Sequence, residues 1–285
     1  MPLDHLLLSV VFAFVAGLFG ALLGIGGGLF LTPLLVGVLG VPIHTAIAAS
    51  IVAVIATSSS GGSAYVRRRM VNLKLGMVME TVTVLGAILG GVTAINADPR
   101  VLYTIFGLVL LYSGGYMALR PGAKGDVGTV GRGPGDRSLE ARLGLDGAFL
   151  DGAMGKVVTY TVRRLPAGMG VALVAGYISG TLGVGGGLFK VPAMTTMMGV
   201  PLKAATATST FMIGVTGVAS AYIYYARGAV DPLLTVPVVI GVFSGASLSP
   251  RIANRLPTAA IRQLFIGVLL VFAAEMLARA VGILR

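Results

Sequence analysis

Two short stretches, Gly24 to Phe30 (GIGGGLF) and Gly183 to Phe189 (GVGGGLF), are near-copies set in strongly apolar surroundings. A run of glycines interrupts a helix and bares peptide N–H and C=O groups. In hydrocarbon such groups are tolerated only where protein or a watery cavity satisfies them. Gly24, Gly26, Gly27 and Gly28, like Gly183, Gly185, Gly186 and Gly187, carry no side chain that would block a guest. Each run also precedes a helix whose first N–H groups favour negative charge. The chemistry on offer is therefore anion binding, with close helix packing through small residues as the competing explanation. Pro33 and Pro192 follow the two runs at the same distance.

Hydroxyl residues come next in each copy: Ser50, Thr57, Ser58, Ser59 and Ser60 in one, Thr206, Thr208, Ser209, Thr210 and Thr216 in the other. Neutral donors of this kind bind oxyanions without burying a net charge. Ser50 and Ser209 occupy equivalent positions and are the preferred pair; the alternative is that each bonds back to its own helix or to a neighbour. Lys190 stands three residues after Gly187 where the other copy has Leu31. It is either a ligand for the anion or a lysine reaching an interface. Glu80 lies several residues into an apolar segment, so it is a candidate carrier of a coupling proton, the alternatives being a partner for Lys74 or an interfacial carboxylate. His44 and Lys203 are equivalent and suit either pathway mouths or interfacial anchors. Glu275 and Arg279 are four apart on one helical face and read as a structural pair.

Other chemistries lack their parts. There is no cysteine and there are only two histidines, neither in a metal-ligand spacing. Thiolate, disulfide and most metal sites are thereby excluded, and no cofactor is implied. The glycine string superficially matches a dinucleotide fingerprint but lacks the strand, helix and acidic residue of a soluble unit. The net charge of +11 sits in connections between apolar spans, where membrane topology already calls for it, so nucleic acid is not an expected partner.

With 56% hydrophobic and only 11% charged residues, the elements that hold these groups must be membrane helices. The first apolar stretch has no basic region before it and reads as a retained helix. Sliding the chain along itself by 159 positions superposes the two glycine runs, Gly40-Val41-Pro42 on Gly199-Val200-Pro201, Tyr65 on Tyr224, Arg68 on Arg227 and Gly86 on Gly245. From Gly24 onward 13 of 28 positions are identical, more than shared hydrophobicity gives, so the halves are homologous. The expected architecture is all-α and polytopic: a first repeat over 1–119, a polar linker with a small hairpin over 120–165, and a second repeat over 166–285. Apolar segments run over 3–22, 28–40, 43–65, 75–96 and 100–118, and again over 167–182, 187–199, 202–226, 233–250 and 257–282. Basic residues of the linker, among them Arg142, Lys156, Arg163 and Arg164, place it in the cytoplasm. The connection after the third segment carries Arg67, Arg68, Arg69 and Lys74 in the first repeat but only Arg227 with Asp231 in the second. The next connection has Asp98 and Arg100 cancelling in the first and Arg251, Arg255 and Arg262 clustering in the second. That swap predicts inverted repeats of five segments each. Counting each glycine-broken pair as one crossing would make the repeats parallel.

The doubled G-[IV]-G-G-G-L-F followed by proline, the later G-V-P and the basic central loop resemble the TauE/SafE family of sulfite exporters, also called toluene-sulfonate uptake permeases. The resemblance covers nearly the whole chain, including a central LDGAFLDGAMGKVVTYTVRRLPAG similar to a cytoplasmic insertion of part of the family. It implies movement of sulfite, thiosulfate, sulfoacetate or other organosulfonates across the bacterial inner membrane, coupled to ions or protons. The glycines and prolines carry over from the family; the hydroxyls, Lys190 and Glu80 rest on the argument above. The expected partners are a small anion and the lipid bilayer, with homo-oligomerisation left open. Rival readings are a passive anion channel, an intramembrane enzyme and an assembly protein.

Overall fold

A computed structural model of the chain describes residues 3–23, 26–119, 138–151, 156–252 and 258–284. The first half holds α1 (Leu3–Leu23), α2 (Gly28–Gly37), α3 (Ile43–Arg67), α4 (Leu73–Ile95) and α5 (Pro99–Leu119). The second holds α7 (Leu165–Leu182), α8 (Gly187–Pro192) with a π turn (Ala193–Met197), α9 (Leu202–Ala226), α10 (Pro232–Ile252) and α11 (Thr258–Val281). Between them lie the single-turn α6 (Leu139–Arg142) and strands β1 (Gly147–Asp151) and β2 (Lys156–Tyr160). Helices α3, α4, α5 and α7 are each long and apolar enough to cross a bilayer.

The repeat is visible in how helices begin and end. Pro42 and Pro201 stand at the N-caps of α3 and α9, and Arg68 and Arg227 at their C-caps. Proline has no N–H to continue a helix backwards, which fixes both starts. The segment expected as one helix over 187–199 is instead α8 followed by a π turn. Pro192 removes one ladder donor, and Met198 N–H bonds back to the Ala193 carbonyl at 3.2 Å.

Packing exchanges helices between the halves: α1 lies along α10, and α4 along α7. Small residues set both contacts. A Cβ on Gly86 would strike the Leu173 carbonyl, and one on Gly245 the Phe14 carbonyl, which are equivalent pairs in the two copies. Gly17 against Val242 and Gly176 against Thr83 form a second equivalent set. Backbones that approach this closely gain van der Waals contact that lipid cannot replace. In both contacts the helices run parallel, since Gly86 and Gly90 meet Leu173 and Tyr177 in order. Equivalent helices, by contrast, run antiparallel: in α3 and α9 Gly62 lies by Phe211 while Gly217 lies by Ile55, and in α5 and α11 Gly107 meets Leu277 while Gly114 meets Leu270.

The hairpin pairs Gly147 with Tyr160 through Asp151 with Lys156. The alternation of Val157, Val158 and Tyr160 falls on β2, while Val162 lies beyond it with its N–H bonded to Asp146 Oδ1 at 3.0 Å. The hairpin sits under the start of α4: Asn72 caps that helix by accepting from Leu75 N–H at 3.1 Å, and its Nδ2 donates to the Leu145 carbonyl at 2.8 Å and Tyr160 Oη at 3.2 Å. On the other half, Glu140 accepts from Leu165 N–H at 2.7 Å and Arg163 N–H reaches the Met198 carbonyl at 3.1 Å. Leu75, Met79, Phe149, Tyr160, Leu165 and Met198 form a core of their own there.

Candidate substrate and coupling site

The two glycine runs touch. A Cβ on Gly28 would land on the carbonyl oxygen of Gly183, so the first turn of α2 abuts the C-cap of α7. Ser50, fully buried on α3, stands at the junction with its hydroxyl 3.2 Å from the Gly28 carbonyl and 3.1 Å from that of Gly183. One hydroxyl proton therefore serves both runs. Gly27, the N-cap of α2, packs on the Ala16 carbonyl and the backbone of Gly17, while Gly26 faces Val54 and Ile213. At Gly27 and Gly28 the missing side chain is used for backbone packing. Gly24 lies outside the described residues.

The second run is wound left-handed at Gly183, Gly185 and Gly186, with φ of 72°, 82° and 67°. These are angles at which a side chain is strained, so the break after α7 depends on glycine itself. Gly187 opens α8 and is buried. A Cβ on Gly186 would stand 3.3 Å from Lys190 Cε. The lysine therefore folds back toward the N-terminus of its own short helix, as helical side chains do, and lies over the run.

Lys190 is fully buried, and its ammonium nitrogen lies 3.9 Å from Glu80 Oε2 on α4. Thr216 of α9 completes the cluster: its hydroxyl donates to Glu80 Oε1 and accepts from Lys190 Nζ at 3.4 Å. Glu80 Oε2 is buried and has no hydrogen bond, and the lysine uses one N–H of three, at long range, in the bonds described. Lys74, the alternative partner of Glu80, instead reaches toward Gly144 of the central module. Opposite charges from the two halves thus meet next to the second glycine run.

The hydroxyls divide. Thr57, Ser59 and Thr210 bond back to carbonyls four residues earlier on their own helices. Ser58 crosses to the Thr210 carbonyl and Ser60 to Ser247, while Thr208 accepts from Asn72 N–H at 3.0 Å. Ser209 is fully buried with no hydrogen-bond partner. Thr206 is half-buried in the first turn of α9, and no described contact links it to either run. Pro33 is buried within α2, and Pro192 ends α8 with its carbonyl taken by Thr195 and Thr196. His44 Nε2 lies 3.2 Å from the Ala94 carbonyl, and Glu275 and Arg279 form the expected pair at 3.2 Å. Ser58, Ser59, Ser63 and Arg67 line a cavity of about 800 Å³ between α3, α4 and α9. Among the described residues no cluster of His, Cys, Asp or Glu could hold a metal.

Sequence reasoning singled out Glu80 and Lys190 separately and missed that they are partners. A signal was present: their equivalents are Val239 and Leu31, so both charges are absent from the other copy, as a matched pair would be.

The pattern of the family described as "Sulfite exporter TauE/SafE" matches residues 9–276. The chain belongs to the TauE/SafE sulfite exporter family. It is 26% identical over 275 residues to "Probable membrane transporter protein YunE" of Bacillus subtilis, covering 94% of this chain and 96% of that one. It is 27% identical over 256 residues to a "Probable membrane transporter protein" of Xylella fastidiosa, covering 90% and 87%. No solved structure matches. As a TauE/SafE protein it is a multi-pass membrane transporter, and the glycine runs, the Ser50 junction and the buried charge cluster are features to be read in those terms.

Proposed function

We propose that this TauE/SafE protein is a secondary active transporter of a small sulfur oxyanion or organosulfonate, working by alternating access with a proton as coupling ion. The observation that carries the reading is the meeting of the two glycine runs at Ser50, with a fully buried lysine laid over one of them. Discontinuous helices at corresponding points of two repeats are where transporters place their substrate sites. A lysine in that position has the charge an anion needs, and Glu80 beside it is the group to carry the proton.

The antiparallel course of α3 against α9 and of α5 against α11 supports inverted repeats, because a two-fold axis that reverses equivalent helices lies in the membrane plane. The basic linker and the Arg67–Arg69 cluster then share the cytoplasmic face of the inner membrane. The exchanged pairs α1 with α10 and α4 with α7 each join helices from both repeats, so they suit rigid units that rock against one another.

Purified protein in liposomes tests the reading. Uptake of labelled bisulfite, methanesulfonate or another singly charged sulfonate should saturate with concentration and respond to an imposed pH gradient. Flux that is linear in concentration and indifferent to the gradient would identify a passive channel.

A further inference from the structure

From the geometry of one buried pair we infer that transport is electroneutral, with one proton accompanying each monoanion, because Lys190 and Glu80 allow no other charge state to cross. This rests on the transport reading above and adds its stoichiometry and the charge class of its substrate.

The pair is, among the described residues, the whole of the charge at this place. Among charged and titratable groups on elements packed against α4, Tyr177 on α7 is partly exposed, and on α9 Tyr222 and Tyr225 point outward while Tyr224 donates to the Gly180 carbonyl. Lys203 lies at the far end of α9, about 20 Å along the helix from Thr216. Under the start of α4, Tyr160 is held by Asn72 and Asp146 by Val162. Among the described residues Lys190 alone faces Glu80 with a charge. Both members are missing from the other copy, where Leu31 and Val239 stand, while the hydroxyl that joins them recurs as Thr57 and Thr216.

A charge inside a membrane protein must be balanced locally, and leaving one member of a buried pair unmatched is strongly unfavourable. With the site empty, ammonium and carboxylate balance one another. A monoanion arriving at Lys190 takes the role of the carboxylate, and Glu80 must then be neutral. The proton comes from water on the side of entry and forms an O–H bond at Oε2, the oxygen that has no hydrogen bond here. On the far side that bond breaks, the proton and anion leave, and the ion pair re-forms before the carrier returns. Val84, one turn beyond Glu80, and Val215, next to Thr216 in sequence, line the 800 Å³ cavity, while Glu80, Lys190 and Thr216 are not among its lining residues. A dianion would leave a net negative charge even with Glu80 protonated and is excluded.

The test uses the full-length protein in liposomes with the membrane potential clamped by potassium and valinomycin, and labelled methanesulfonate and bisulfite as monoanions, sulfate as dianion. The steady-state monoanion ratio should follow the proton ratio, about tenfold per pH unit, at any clamped potential. Sulfate should not accumulate. Glu80→Gln cannot re-form the ion pair when empty, so it should retain exchange of internal for external monoanion while losing net uptake. Glu80→Asp should recover net uptake. A ratio that tracks voltage, accumulation of sulfate, or a Glu80→Gln protein that keeps net pH-driven uptake would each overturn the proposal and leave the transport reading standing. A Glu80→Gln protein that loses exchange together with net uptake would reduce Glu80 to a structural role. Failure of the wild-type protein to move any of the three anions would remove both readings together.

Discussion

Lys190 and Glu80 come from different halves of the chain and meet with their charges 3.9 Å apart, both buried. The lysine reaches this place because Gly186 leaves room for its stem, and the carboxylate is there because α4 is packed along α7 by Gly86, Gly90, Gly176 and Gly180. The pair therefore reports on the packing between halves as well as on the site.

Neutralising one member should be far worse than neutralising both. Lys190→Met strands a carboxylate in a dry environment, which costs roughly 3 to 5 kcal/mol, whereas a paired replacement of similar volume is often neutral. In detergent, Lys190→Met should unfold at markedly lower temperature than the wild type, and Lys190→Met/Glu80→Gln should recover most of the loss. Equal melting of the single and double variants would show that the two residues are not coupled.

Gly186→Ala combines two penalties: a left-handed φ, about 1 to 2 kcal/mol, and a Cβ pressed against Lys190 and the Ala175 carbonyl. Gly40 provides the control, since it is also left-handed but a Cβ there meets nothing within 4 Å. Gly40→Ala should shift the melting temperature modestly and keep transport. Gly186→Ala should shift it more and abolish anion uptake, because the displaced lysine leaves the site. Equal uptake by the two variants would separate Gly186 from the site.

The repeat, most of the segment bounds and the glycine breaks were legible because the chain itself carries their signals, although the segment after Gly187 ends as a π turn. Hydrophobic length marks α3, α4 and α5, proline and arginine mark the ends of α3 and α9, and identity at fixed spacing marks the copy. The partner of Glu80 was not legible in that way. Lys74 is six residues away in sequence, but it sits before the first full turn of α4 and turns toward Gly144, while Lys190 arrives through the packing of α4 along α7. The docking of the hairpin on Asn72 was equally hidden, since it depends on the Leu145 carbonyl supplied from far along the chain.

That hairpin is expected to be sensitive to alkali. Burial raises the Tyr160 phenol above its ordinary value of 10.0, outweighing the opposing Asn72 hydrogen bond, and the nearby charge of Asp146 adds a lesser upward push. An acid whose folded value lies above its unfolded one stabilises docking fully below the unfolded value and loses that contribution as pH rises through the folded one. Docking should hold below about pH 10 and loosen above it. Hydrogen exchange of β1 and β2 across that range should show the transition in the wild type. Tyr160→Phe should lose the alkaline step, and a variant that keeps it would assign the step to another group.

Ser50 and Ser209 are equivalent in sequence and unlike in structure. Ser50 serves the carbonyls of Gly28 and Gly183, whereas Ser209 is buried without a partner. Removing a buried donor leaves its acceptors unmet at about 1 to 3 kcal/mol, so Ser50→Ala should be destabilising. Ser209→Ala removes a hydroxyl that is already unmet and should leave the melting temperature unchanged or raised. If the halves exchange roles during transport, Ser209 acquires in the opposite state the bonds that Ser50 makes in this one. Ser209→Ala should then slow uptake severalfold while the protein remains as stable as the wild type. An intact rate would confine the junction to Ser50 and remove the exchange of roles between the two serines.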